Sequence, residues 1–308
     1  GPKIRVKSIY LKGVSRDKIK VKEGDELILT GSFSAKRKLD RKALLIVAPA
    51  EIIKMMKPGE HVFFDDGKFE GKIMQVSAKD IAIRITRIST QKPFLKVEKG
   101  INLPDSELRI NPLTKSDLSY IPFICKYADM VGYSFVSTPL DVDQLRQEVK
   151  KHQSKAKTPP AIILKIERLT AVQNLPGLLL TGMKDQIFGV MIARGDLAVE
   201  IGFERLSEIQ EEILWICEAA HVPVIWATQV LETMNKTGFA TRSEMTDAGM
   251  GVMAECVMLN KGKYLVKTIH ALDNILKRQM GHVDKKRYIM RPLGIAKNFL
   301  DDTILYSR

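Results

Sequence analysis

Two textures of apolar and polar residues divide this chain. Through residues 6–101 apolar positions tend to alternate with polar or small ones. Ile81, Ile83 and Ile85 are interleaved with Ala82, Arg84 and Thr86, the period of a half-buried strand. Turn-forming clusters interrupt this stretch at Glu23-Gly24-Asp25, Lys57-Pro58-Gly59-Glu60 and Asp65-Asp66-Gly67-Lys68. Short strands between such turns predict a small all-β barrel or sandwich. From about residue 102 the apolar positions gather into runs at 130–136, 161–166, 188–193, 222–227 and 256–259. Helical patterns lie between them; over 204–220, Leu206, Ile209, Ile213, Ile216 and Ala220 fall on one stripe. Continuous apolar strands suit a parallel sheet covered on both faces. The pattern therefore predicts an α/β architecture of repeated βα units, either a (β/α) barrel or a doubly wound sheet. Five such strands are legible, whereas a closed barrel has eight. Either the sheet is open or part of a barrel lies outside this chain. The last stretch, 281–308, is basic, lacks a strand pattern and is expected to be a helix or an extended tail.

Composition narrows the class. With 308 residues, 45% apolar and 28% charged, the chain can build at least one large core. No apolar run approaches the ~20 residues of a membrane span, and the opening residues carry no secretory h-region. No membrane partner is expected, and the predicted compartment is cytoplasmic. Cys125, Cys217 and Cys256 have neither CxxC nor ligand-like spacing, so they read as reduced core thiols. The net charge of +13 is uneven: residues 1–100 carry 23 Lys+Arg against 12 Asp+Glu, whereas 101–276 carry 18 against 21. The surplus thus belongs to the N-terminal region and to a short tail, 277–308, with 8 against 3. Such a surface attracts nucleic acid or phosphorylated small molecules, or is a solvated basic face. There is no RRM, KH or helix-turn-helix motif, so no specific nucleic acid is expected.

In βα-repeat folds, chemistry collects at the C-terminal ends of the strands. The second run ends Lys165-Ile166-Glu167, which places Lys165 and Glu167 on one face. They read either as a structural ion pair or as active-site groups. The third run ends Ala193-Arg194-Gly195-Asp196. Glu167 and Asp196 are expected at adjacent strand ends, where two carboxylates repel unless a cation lies between them. An oxygen-only donor set suits Mg²⁺ or Mn²⁺. Gly195 lets the backbone approach a ligand and leaves its N–H available. The fourth run ends at Thr228, whose hydroxyl serves either a phosphate or carboxylate or as a helix N-cap.

These motifs bring out a resemblance. The stretches LKIE (164–167), MIARGDLAVEI (191–201), PVIWATQVLETM (223–234), ATRSEMTDAGMGV (240–252) and ECVMLN (255–260) resemble the second half of the pyruvate kinase barrel in order and spacing. FFDDGKFEGKI (63–73) and VEKGINLP (97–104) are similar to the family's small β lid, and GPKIR (1–5) to the peptide leading into it. The resemblance implies a partial (β/α)8-type barrel with an inserted all-β lid: the lid at 6–101, barrel at 102–280 and a basic tail at 281–308. It also implies phosphoryl transfer between phosphoenolpyruvate and ADP to give pyruvate and ATP, the last step of glycolysis, with Mg²⁺ and usually K⁺. In that family's pattern Glu167 and Asp196 would hold the divalent metal. Lys165 would stabilise the transferring phosphoryl group. The backbone at Ala193, Arg194 and Gly195 and the Thr228 hydroxyl would hold the substrate carboxylate, with Thr228 near the carbon that gains a proton. Arg5, Asp66 and Lys99 would lie on the lid side, over nucleotide and phosphates.

The resemblance has gaps. The family's first barrel units, with their phosphate-binding Arg and K⁺ ligands, have no counterpart here, so the chain is expected to be a piece of a longer protein. Gly1-Pro2 fits the family peptide and equally a scar of tag cleavage. The family's C-terminal regulatory domain also has no counterpart, so no effector site is expected; a homo-oligomer is compatible with the family pattern. The family's Ser-Gly-Glu-Thr is replaced by Asn260-Lys261-Gly262-Lys263, Ser137 stands in place of an Arg, and Arg168 in place of an Asn. Two other readings stand beside the kinase: a Mg²⁺-dependent aldolase or lyase acting on 2-oxo acids, and a non-catalytic homologue.

Overall fold

The computed structural model describes residues 3–32, 43–48, 50–108, 110–153, 158–184 and 187–283, together with Lys297 and Phe299. The tail expected over 281–308 lies outside the described residues apart from 281–283, Lys297 and Phe299, as do Gly1 and Pro2. Two compact units divide the chain, one of residues 2–111 with 199–201, the other of 112–198 with the residues from 202 onward.

The first unit is all-β. Its strands are β1 (Arg5–Leu11), β2 (Val14–Arg16), β3 (Lys18–Lys20), β4 (Glu26–Thr30), β5 (Ala43–Ala48), β6 (His61–Phe64), β7 (Phe69–Val76), β8 (Asp80–Ile88), β9 (Phe94–Lys96) and β10 (Ile101–Asn102). Eight of them form one sheet in the order β10-β6-β7-β8-β4-β5-β1-β2, while β3 and β9 form a separate ribbon. All pairings are antiparallel except β4 with β5. The alternation in β8 works as its pattern requires: Ile81, Ile83 and Ile85 are at most 1% exposed, packed with Leu29, Leu45, Phe64 and Phe69. At the β6–β7 turn Asp65, Asp66 and Gly67 adopt three successive left-handed conformations. Asp and Gly tolerate these best, and they reverse the chain tightly.

The second unit repeats helix and strand. It contains α1 (Lys115–Tyr127), β11 (Met130–Tyr133), α2 (Pro139–His152), β12 (Ala161–Ile166), α3 (Leu169–Gln173), α4 (Leu175–Gly182) and β13 (Phe188–Ala193). There follow α5 (Arg194–Ile201), α6 (Leu206–Ala219), β14 (Val224–Ala227), α7 (Glu232–Thr237), α8 (Arg242–Met250), β15 (Cys256–Val257) and α9 (Leu265–Val283). The five strands are parallel and ordered β11-β12-β13-β14-β15. That order settles the alternative left by the pattern. A doubly wound sheet reverses its strand order at a switch point; this sheet runs in one direction, as barrel strands do. Among the described residues the sheet does not close, and β11 and β15 are its outer strands.

Local chemistry sets the helix starts. Thr114, Thr138 and Thr241 each cap a helix and form reciprocal capping boxes with Asp117, Asp141 and Glu244. Burial raises the Asp117 and Glu244 carboxyls, but their cap hydrogen bonds outweigh it and leave both below the ordinary range. The stripe expected over 204–220 is a 3₁₀ turn at Phe203–Arg205 followed by α6. Its deepest face runs through Ile209, Ile213, Leu214 and Cys217, while Leu206, Ile216 and Ala220 are half-buried. One expectation needs correction. Cys125 and Cys217 are buried thiols, but Cys256 is exposed. It sits on an outer strand of the sheet. Burial pushes the Cys217 thiol up to about 12, consistent with an inert packing group.

Candidate active site

The strand register brings the candidate groups to one end of the parallel sheet. Ile166 of β12 pairs with Ile192 of β13, and Ala193 pairs with Ala227 of β14. Glu167 therefore follows β12 directly, Asp196 lies in the first turn of α5, and Thr228 follows β14. These are neighbouring C-terminal strand ends.

Lys165 and Glu167 share a face, as their spacing requires, and meet as an ion pair with Nζ 2.7 Å from Oε1. The purely structural ion pair is thus present, though its two members are unequally covered. The Glu167 side chain is 3% exposed, while that of Lys165 is 25% exposed and reaches outward. Lys165 Nζ also donates to Ser134 Oγ at 2.9 Å. The Phe135 amide donates to Glu167 Oε2 at 2.7 Å. An ammonium has three protons; with two directed at Glu167 and Ser134, the third is left for a ligand. Each Glu167 oxygen likewise retains acceptor capacity beyond its one partner.

The second cluster joins β13 to β14. The Gly195 amide donates to Thr228 Oγ1 at 2.7 Å. Thr228 is therefore not a helix N-cap: α7 begins at Glu232, and Leu231 stands at its cap. Because its oxygen accepts from Gly195, the Thr228 hydroxyl keeps its proton to donate. A Cβ at position 195 would sit 3.4 Å from Thr228 Oγ1, an ordinary contact, so the approach of the two residues does not itself demand glycine. The Arg194 side chain, 5% exposed, folds back under the site. Its Nε and Nη2 donate to the carbonyls of Ala227 at 3.2 Å and Thr228 at 2.8 Å, and Nη1 pairs with Asp247. The guanidinium also stacks 4.5 Å from the centre of the Trp226 ring. Arg194 thus fastens the end of β14 from below while its own backbone opens α5.

Strain collects at the same end of the sheet. Phe135, Thr228, Gln229 and Leu231 all have positive φ, between +46° and +66°. Each such non-glycine residue costs on the order of 1–3 kcal/mol, and such costs cluster at functional sites. The turn at Phe135 also ends β11 before the apolar run through residue 136 is complete.

Glu167 and Asp196 supply hard oxygen donors at adjacent strand ends. Among the described residues no group of three or more His, Cys, Asp or Glu side chains forms a metal cluster. A pair of carboxylates suits Mg²⁺, which keeps waters and substrate oxygens in its other positions. The residues present therefore fit such an ion, with the spare acceptor capacity of the Glu167 carboxylate as the structural basis.

The remaining candidates lie in the all-β unit. Asp65 is the hub of the β6–β7 turn. It is 8% exposed and pairs with Lys99 at 2.7 Å and Lys68 at 3.2 Å. Burial raises its carboxyl, but the hydrogen bonds and charges of Lys99 and Lys68 outweigh that and hold it below the ordinary range. Asp66 is 3.7 Å from Lys3, and Arg5 donates to the Glu98 carbonyl at 2.7 Å. Sequence reasoning missed Ser134, Asp65 and Asp247. The doubled Asp in the Asp-Asp-Gly turn was a usable signal for Asp65; Ser134 and Asp247 become visible only with the register.

Together, fold and site define a βα-barrel-type protein whose polar groups converge at the C-terminal strand ends, accompanied by an all-β domain. The family model for the pyruvate kinase barrel domain matches residues 1–269. A pyruvate kinase of Agaricus bisporus is 32% identical over 278 residues, covering 87% of this chain and 48% of that protein. One of Clostridium perfringens is 29% identical over 300 residues, covering 95% and 59%. The crystal structure of a pyruvate kinase from Cryptosporidium parvum matches with a TM-score of 0.76 at 26% identity, covering 91% of this chain and 55% of that one. The chain belongs to the pyruvate kinase family. It spans about half the length of the curated relatives it matches.

Proposed function

We propose that this chain forms part of a phosphotransferase that converts phosphoenolpyruvate and ADP to pyruvate and ATP, the closing step of glycolysis, in the cytoplasm. The carrying observation is the partly exposed Lys165 ammonium, held by buried Glu167 and half-buried Ser134, with the Gly195–Thr228 pair at the ends of the next two strands. In this reaction the bond between phosphorus and the enol oxygen breaks, a bond to the terminal ADP oxygen forms, and the enolate carbon takes a proton. Phosphoryl transfer asks the protein for position and positive charge rather than covalent help. Lys165 supplies that charge through its free proton. The first-turn amides of α5 around Ala193, Arg194 and Gly195, with the Thr228 hydroxyl, receive the substrate carboxylate. Thr228 retains a proton on Oγ1 close to the carbon that must gain one. Glu167 and Asp196 would hold Mg²⁺ or Mn²⁺, which when bound neutralises phosphate charge. The all-β domain, 6–101, would serve as a lid that excludes water, with Arg5, Asp66 and Lys99 available to nucleotide and phosphates. Any K⁺ site draws on residues outside this chain.

The test is pyruvate formation from phosphoenolpyruvate and ADP with Mg²⁺ and K⁺, measured on this chain and on the full-length gene product. Lys165→Met is expected to lower kcat of the active form at least ~10²–10³-fold, the scale for loss of one preorganised charge-stabilising group, with the fold and Mn²⁺ affinity retained. Full activity in Lys165→Met refutes the assignment. Inactivity of both forms, each folded, refutes the kinase reading.

A further inference from the structure

We propose that the outward face of the β3–β9 ribbon binds single-stranded nucleic acid without regard to sequence. In the ribbon Lys18 stands opposite Lys96, Ile19 opposite Leu95, and Lys20 opposite Phe94. Ile19 and Leu95 turn inward, at 6% and 0% exposed, which leaves the lysines and Phe94 on the outer face. Hydrogen bonds from Val21 N to the Pro93 carbonyl and from Val97 N to the Asp17 carbonyl continue the ribbon at both ends. The exposed Lys22 and Lys92 extend the same face. Five lysines thus share one face with a single phenyl ring.

That arrangement is unfavourable in the free protein. Like charges directly opposite each other on a sheet destabilise it. Among the described residues, the neighbouring carboxylates make their contacts with backbone amides or with Lys7, and none with these ammonium groups. Glu23 accepts from the Ile88 amide at 3.0 Å, Asp25 accepts from the Lys22 amide at 2.8 Å, and Glu98 pairs with Lys7 at 3.2 Å. Asp17 precedes the strand on the opposite parity. Phe94 remains 38% exposed among these cations, with Lys18 Nζ 5.1 Å from its ring centre.

A basic track carrying an exposed aromatic ring is the chemistry that holds single strands. Cations follow the phosphates while a base stacks on the ring. Lys18, Lys20 and Lys22 recur every second residue, about 6.6 Å apart along a strand, so an extended backbone can place successive phosphates along the row. No base-reading element is needed, consistent with the lack of RRM, KH or helix-turn-helix motifs. This inference is independent of the phosphotransferase reading, because it uses none of the groups assigned there.

The test is fluorescence anisotropy of a labelled oligothymidylate of about 20 nucleotides, longer than one typical single-strand site, titrated with the whole chain from about 50 to 200 mM salt. Saturable, salt-weakened binding is expected. The Lys18→Gln/Lys96→Gln double variant should bind at least tenfold more weakly, with a salt slope shallower by about 1.4, from about 0.7 for each phosphate no longer neutralised. Its melting temperature should stay level or rise, because a repulsion has been removed. Phe94→Ala should bind about fivefold more weakly or worse, the lower bound for losing one stacked base, with the salt slope unchanged. Absence of binding, or indifference to both variants, overturns the proposal. So does heparin binding of equal strength together with indifference to Phe94→Ala, which marks a base-blind polyanion surface. Binding confined to phosphatidylserine vesicles also overturns it and assigns the face to a membrane.

Discussion

The two units treat apolar and charged side chains in opposite ways. The all-β unit hides its apolar residues: among the described residues only Val14, Met74 and Phe94 are large hydrophobics that stand exposed there. Most of its ion pairs, such as Lys7–Glu98 and Arg84–Glu26, lie in or near solvent, the buried Asp65 carboxylate with its two lysines being the exception. The βα unit leaves many more apolar side chains exposed. Tyr120, Phe123 and Tyr127 are each about 60% exposed along one stripe of α1, and Leu140 and Phe239 reach 78%. At the same time it buries charge, with Glu167 and Arg194 at 2% and 5% exposed. The first unit thus draws its stability from a complete apolar core. The second holds costly polar groups rigidly at its strand ends, an arrangement associated with preorganised sites rather than with maximal stability.

That contrast can be broken by substitution. A large effect on stability is expected from Arg194→Met. It leaves two carbonyls and Asp247, whose side chain is 33% exposed, without their donor, so the βα unit should lose about 3 kcal/mol, the lower end of the scale for breaking a buried ion pair, as read by urea denaturation. A loss below about 1 kcal/mol would mean that the guanidinium is dispensable and the contrast false. Ile83→Ala should cost the all-β unit about 2–5 kcal/mol through the cavity it leaves. That loss should appear in the transition of the all-β unit and spare that of the βα unit.

Acid sharpens the comparison further. The Asp65 carboxyl is held below its ordinary value of 3.8, so its contribution is complete above that pH and is lost as pH falls through the lower, folded-state value. The all-β unit should therefore lose stability progressively below about pH 4. Asp65→Asn should flatten that part of the profile; an unchanged profile would show that the pairing with Lys99 and Lys68 contributes nothing. The smallest effect belongs to the surface. Lys7→Ala should change stability by about 0–1 kcal/mol, and a larger loss by thermal melting would contradict the account of solvent-facing ion pairs.

Much of this organisation was legible in the residue pattern, because much of it is periodic. The alternation of Ile81, Ile83 and Ile85 identified β8, and the five apolar runs identified β11 to β15. The two-residue spacing of Lys165 and Glu167 was enough to put them on one face. What escaped depends on tertiary register or on backbone geometry without a residue code. Phe135, Thr228 and Gln229 are left-handed although nothing in their side chains favours it. Arg194 was singled out for its backbone, yet its side chain is the larger structural contributor, since Asp247, its partner, lies 53 residues further on. Asp65 and Asp66 are indistinguishable as neighbours in a turn, and only burial separates the hub from its exposed companion.

The unbroken strand order of the parallel sheet also bears on how the chain assembles during synthesis. Each strand from β12 onward pairs with the one made just before it, about thirty residues earlier. Such a sheet can grow in the direction of translation, every new βα unit docking on a template already in place. Each pairing still has to close a crossover of about thirty residues before it gains its contacts, which makes parallel pairing slow compared with a hairpin or a helix pair. The growing edge is the strand most recently completed, so the interval between one unit and the next is the period during which an unpaired edge is open to aggregation.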